Sequence, residues 1–170
     1  MNPQTTNWYV ATTMPRAEKK VGMRLTALGY ENLVPMHKQL RTWSDRKKFV
    51  EMPLFSSYAF VHTTERLRSD TFKAGGIVRY LSLNGQPAIL RPHEIERIKK
   101  LCDFEGDIII TLSATKVNDE VIINAGVLCG IRGILISDTG RAKVRISIPG
   151  LGCFAQIEIG REMVQKINVI

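Results

Sequence analysis

The chain has 170 residues, 44% of them apolar, and carries 24 Lys or Arg against 16 Asp or Glu, a net charge of +8. That length suits one ordinary domain or two small ones, and no run approaches the ~18 uninterrupted apolar residues of a membrane span. Cys102, Cys129 and Cys153 are scattered, never form C-x-x-C, and accompany three equally scattered histidines, which argues against a disulfide framework, a metal site or a cofactor. Met1 to Thr6 has neither the basic flank nor the apolar stretch of a secretory signal, so a cytoplasmic protein with reduced thiols is expected.

Trp8 to Thr13, aromatic and β-branched, predicts a strand. Pro15 opens a helix to about Leu28, with Ala17, Val21, Leu25 and Leu28 on one stripe and Gly29 at its end. Arg16, Lys19, Lys20 and Arg24 make its other face basic, which an ordinary solvated helix surface also explains. Glu31–Trp43 and Lys48–Met52 read as strands joined by the basic loop Ser44-Asp45-Arg46-Lys47. Ser56 to Thr63 is a strong strand whose alternation sets Tyr58 and Phe60 on one face, Ala59 and Val61 on the other. Both faces are apolar; one is covered by the chain's own helices, and the other calls for an explanation. Glu65–Lys73 is a short helix before Gly75-Gly76, and Asn84-Gly85 turns a hairpin between Val78–Leu83 and Pro87–Leu90. Pro92 opens a last helix to about Phe104, with Ile95, Ile98 and Leu101 or Cys102 on its stripe.

The helical pattern stops at Glu105, and 105–118 reads as a connector with strand-like residues at Ile108-Ile109-Ile110. Short β-branched runs then alternate with Gly126, Gly130, Gly133, Gly140, Gly150, Gly152 and Gly160, five strands that suit a small closed barrel. Charge divides at the same place. Residues 1–104 hold 17 Lys or Arg and 9 Asp or Glu, while 105–170 hold 7 of each; eleven of the twelve aromatics also precede residue 105. A basic, aromatic-rich part can hold phosphate backbones or dock on a partner, and a neutral part cannot grip nucleic acid strongly.

Two patterns occur in order. Trp8-Tyr9-Val10, the basic helix, Pro53-Leu54-Phe55-Ser56-Ser57-Tyr58-Ala59-Phe60-Val61, Gly76-Ile77-Val78-Arg79-Tyr80-Leu81 and Gln86-Pro87-Ala88 resemble the N-terminal domain of the NusG family of transcription elongation factors. Asn118-Asp119-Glu120-Val121-Ile122-Ile123, Gly126, Gly130, Gly133 and Val144 to Ile148, down to Gln156-Ile157-Glu158-Ile159, resemble the KOW domain that follows in that family. The resemblance implies an α+β chain: an N-terminal antiparallel sheet with flanking helices over 1–104, a linker at 105–118, and a small SH3-like β-barrel over 119–170. Ser56-Ser57 stands where most relatives have Pro-Gly or Pro-Asn, which is expected to loosen the turn before the docking strand. It points to a specialised paralogue similar to the RfaH or UpxY antiterminators.

The resemblance also implies function. Phe55, Tyr58 and Phe60, with Trp8 and Tyr9 beside them, match the aromatic pocket that receives the clamp helices of RNA polymerase, and such buried anchors commonly carry ~2 kcal/mol or more each. The competing reading is plain core under a helix. Arg16, Lys19, Lys20, Arg24, Arg46, Lys47 and Lys48 are candidates to track non-template or upstream DNA; four neutralised phosphates on a single strand give a log–log salt slope near roughly −3. Met14 and Pro15 stand where RfaH carries basic residues, so reading of the same DNA element is not expected, and His62-Thr63-Thr64 is read as a strand end. The KOW part is expected to recruit a protein partner, Rho or a small-subunit ribosomal protein, and the chain to act as a monomer without enzymatic activity or a membrane. The alternative is a KOW-containing RNA-binding or ribosome-associated protein. Against an enzyme, the carboxylates of Asp103-Glu105-Asp107 and Asp119-Glu120 fall in a connector and at a strand start, with no phosphate loop or nucleophile elbow.

Overall fold

The computed structural model describes residues 5–42, 46–112 and 119–167; Trp43, Ser44 and Asp45 of the expected hairpin and Ser113 to Asn118 of the connector lie outside the described residues. The N-terminal part runs β1 (Thr6–Thr13), α1 (Glu18–Ala27), β2 (Glu31–Leu33), β3 (Met36–Thr42), β4 (Lys47–Pro53), β5 (Tyr58–Thr64), a 3-10 segment (Arg66–Ala74), β6 (Ile77–Tyr80), β7 (Ser82–Leu83), β8 (Gln86–Pro87), β9 (Ile89–Leu90) and α2 (Pro92–Cys102). β1 is central, between β5 and β6, with β2 beyond β5 and β9 on the other end of β1. α1 starts three residues later than expected because Arg16 takes a left-handed backbone, φ +62°, which no helix accommodates. Asn84 (φ +51°) and Gly85 (φ +75°) supply the two positive angles of the tight hairpin turn.

Antiparallel register puts Val10 opposite Phe60, Thr12 opposite Tyr58 and Trp8 opposite His62, so these six share one face. The other face is closed by α1 and the 3-10 segment: Ala11, Ala59 and Val61 pack with Val21, Leu25, Ala74 and Ile77. On the first face the stripe of α2, Ile95, Ile98 and Leu101, lies in one cluster with Val10, Phe55, Phe60 and Leu90.

The C-terminal part is one antiparallel sheet of β10 (Ile108–Thr111), β11 (Glu120–Ile123), β12 (Arg132–Thr139), β13 (Arg141–Ile148), β14 (Cys153–Gly160) and β15 (Val164–Lys166), in the order β10-β14-β13-β12-β11-β15. Val121, Val144, Ile146, Ile157 and Ile159 alternate into its interior. Part of the expected connector is therefore sheet, because Ile108 to Thr111 complete the ladder on the free edge of β14.

The two parts share one apolar cluster, in which the α2 stripe meets Ile148, Leu151 and Cys153. Polar contacts frame it. Arg97 donates to the Ser147 carbonyl, Lys100 Nζ to the Cys129 carbonyl at 2.8 Å, and the Gly150 N–H to Glu94 Oε1 at 2.8 Å. On the far side the His37 Nε2–H donates to the Gly106 carbonyl at 2.9 Å, and Gln39 to Asp107 at 3.0 Å. Gly150 is required sterically: a Cβ there would lie 2.7 Å from the Ile89 carbonyl oxygen.

Candidate docking face and basic surface

The aromatic face is built by a turn and two strands. After β4, Leu54 donates its N–H to Pro35 and Phe55 turns inward, then Ser57 takes φ +63° before β5 begins. The turn is not loose: the Ser57 N–H donates to Glu18 Oε1 at 2.7 Å, and Glu18, in the first turn of α1, is only 4% exposed. A buried carboxylate on a backbone N–H does the work that proline rigidity was expected to do.

Phe55 and Phe60 pack ring against ring at 5.9 Å and are 4% and 0% exposed. They lie in the shared cluster, against which the half-buried Trp8 and Tyr58 also pack. Tyr9 belongs elsewhere. It is buried on the opposite face, edge-on to Tyr80 at 6.1 Å with the Arg68 guanidinium 5.0 Å above its ring, so strand alternation separates it from the other four. In this arrangement Trp8 and Tyr58 are the members of the expected set that reach solvent.

The cations occupy a different surface. Lys19, Lys20 and Arg24 are exposed along α1 and Arg16 just ahead of it, and Arg46, Lys47 and Lys48 are exposed where β4 begins. Lys19 pairs with Glu51 of β4, which ties the helix to the β3–β4 ribbon, and Arg24 donates to the Ala74 carbonyl at 3.1 Å. An exposed ion pair such as Lys19–Glu51 contributes at most ~1 kcal/mol; it sets α1 beside the β3–β4 ribbon.

Sequence reading missed Glu94. It is 2% exposed, its Oε2 accepts the Arg91 N–H at 2.9 Å to cap α2, and its other oxygen accepts Gly150. The cap was readable three residues into the helix; the second bond joins residues 56 apart and leaves no local trace. The acidic residues of the connector are dispersed: Asp107 accepts from Gln39, and Asp119 pairs with Lys166 at 2.6 Å. Among the described residues no group of three His, Cys, Asp or Glu could hold a metal ion, and no helix is long and apolar enough to cross a membrane.

The family model described as transcription termination factor NusG matches residues 6–99. A solved structure described as "Domain interaction in Thermotoga maritima NusG" superposes with a TM-score of 0.57 at 19% identity, over 98% of this chain and 100% of that one. A second, the MjSpt4:Spt5 complex in its conformation B, covers 95% of this chain and 97% of that one at 15% identity and a TM-score of 0.31. No curated protein matches the sequence.

Proposed function

Because the chain belongs to the NusG family of transcription factors, we propose that it binds RNA polymerase through the Trp8, Phe55, Tyr58 and Phe60 face and suppresses pausing or termination. The clamp helices are the proposed target, the C-terminal sheet a KOW domain that recruits Rho or a small-subunit ribosomal protein, and the basic surface a contact to non-template or upstream DNA. No bond is made or broken in this role. A ligand that prefers the elongating form of the polymerase shifts the population towards it.

The observation that carries the proposal is the gathering of Trp8, Tyr58 and Phe60 on one sheet face, with Phe55 packed on Phe60 from the preceding turn, in the apolar cluster that α2 and the C-terminal sheet also join. A face that must be opened before use weakens apparent affinity by the fraction of molecules open. The polymerase therefore has to offset the Glu94–Gly150, Arg97–Ser147 and Lys100–Cys129 contacts.

Capture of core RNA polymerase by the full chain tests this. Tyr58→Ala should weaken capture tenfold or more, and Glu94→Ala, which loosens the closed arrangement, should strengthen it. Capture indifferent to both substitutions, or absent from the wild type and Glu94→Ala alike, would overturn the proposal. Phe60→Ala is a poor probe, since emptying a fully buried aromatic site costs about 3–5 kcal/mol of stability.

A further inference from the structure

β3 and β4 form a two-stranded ribbon that pairs with neither larger sheet. Alternation along β4 puts Lys47, Phe49 and Glu51 on one side and Lys48, Val50 and Met52 on the other. Phe49 is 65% exposed, more than any other aromatic side chain among the described residues. It follows directly on Arg46-Lys47-Lys48, and among the described residues neither Lys47 nor Lys48 has an ion-pair partner. Glu51, the one acid on the same strand, is engaged by Lys19. Phe49 is itself one wall of an open groove of about 590 Å³, whose other apolar walls are Met36, Cys102 and Phe104 and whose charged walls are Lys38, Glu51, Asp103 and Glu105. Met36, Cys102 and Phe104 offer a flat ring an apolar surface there, and the groove's carboxylates repel phosphates, which leaves a phosphate chain to the cations at the start of β4.

We propose that Phe49 is a base-stacking residue for single-stranded nucleic acid, with Arg46, Lys47 and Lys48 holding the adjoining phosphates. The proposal deepens the nucleic-acid contact put forward above and rests on it. Every base has a π-face, so stacking on one exposed ring tolerates any sequence, whereas a duplex keeps its bases inside and offers this surface phosphates alone. The cations on both sides of the strand favour this occupant over an apolar side chain of a protein partner.

The test titrates the full chain into a fluorescein-labelled 12-mer of oligothymidine and a mixed-sequence 12-bp duplex, read by anisotropy at several salt concentrations. The single strand should bind more tightly. Phe49→Ala should weaken it by about 5- to 100-fold with an unchanged salt slope, because stacking releases no counterions, and Phe49→Trp should restore it. Lys47→Gln with Lys48→Gln should instead flatten the slope by about 0.7 per charge. Wild-type affinity in Phe49→Ala, with the lysine variants weakened, would remove the stacking role and leave the phosphate contacts standing. Loss of polymerase capture in that variant with oligonucleotide binding intact would likewise overturn stacking and give the ring to a protein contact. A wild type that captures polymerase but binds neither oligonucleotide would end the nucleic-acid reading and spare the docking one.

Discussion

The imidazole of His62 lies flat against the indole of Trp8, ring centroids 4.9 Å apart and planes 17° from parallel, while its Nδ1–H donates to Glu31 at 2.6 Å. The three sit in one row across β2, β5 and β1, because register sets Glu31 opposite His62 and His62 opposite Trp8. This row fixes the orientation of Trp8, one of the two members of the docking set that reach solvent. A double-mutant cycle of Trp8→Ala and His62→Ala in urea should return a coupling of about 1 kcal/mol. Additive effects would mean that the stack contributes nothing beyond proximity.

Glu94→Ala should cost about 2–3 kcal/mol, since it strands the buried N–H groups of Arg91 and Gly150 together. Glu94→Gln keeps one acceptor oxygen and should lose less than half of that. Amide exchange at Gly150 is the direct readout: it should accelerate in the Ala variant, and an unchanged rate would show that the bond is not what holds the two parts closed.

Gly150→Ala acts on the same contact by steric means. Its Cβ would meet the Ile89 carbonyl at 2.7 Å and Leu90 Cδ2 at 2.9 Å, so either the turn or β9 must move. Overpacking of this kind costs about 1–3 kcal/mol. The expected result is a lower melting temperature together with higher polymerase capture; lower stability with unchanged capture would separate closure from docking.

The thiols predict a pH dependence. Burial, assisted by the charge of Asp103, pushes Cys102 up to about 12, and burial, assisted by Glu94, pushes Cys153 to about 11. An unfolded thiol ionises near ~8.5, so the folded state retains protons that the unfolded state releases. Stability from these groups is intact below that value and falls as pH rises towards 12. Denaturant midpoints from pH 8 to 11 should decline, and Cys102→Ala with Cys153→Ala should flatten the decline. At pH 8 a disulfide reagent should label exposed Cys129 fast and the other two slowly.

Much of the N-terminal fold was legible because its signals are local. Alternation alone paired Tyr58 with Phe60, Asn84-Gly85 announced its turn, and Pro92 marked the first turn of α2. The late start of α1 was hidden, since nothing in Pro15-Arg16 advertises a left-handed arginine. The tied Ser56-Ser57 turn depends on Glu18, 39 residues away from Ser57, and so could not be read from the turn itself. Of the candidate site, spacing put Tyr58 and Phe60 on one face; the docking role of the set came from family resemblance alone, and neither signal placed Tyr9 on the opposite face or brought the C-terminal sheet onto α2. The stripe of α2 reads the same whether it covers a sheet or bridges two, and Glu94 looks like any capping acid until Gly150 is beside it.

The pairing of Ile108–Thr111 with β14 sets the leash between the two parts. With that strand in place, only residues 103–107 separate Cys102 from the C-terminal sheet, a reach of no more than about 20 Å when fully extended. A released C-terminal part then stays at high effective concentration near α2 and recloses readily. Peeling the strand off β14 lengthens the leash to residues 103–119, about 60 Å. A partner that competes for the edge of β14 therefore controls how far the C-terminal part can travel, without touching the aromatic face at all.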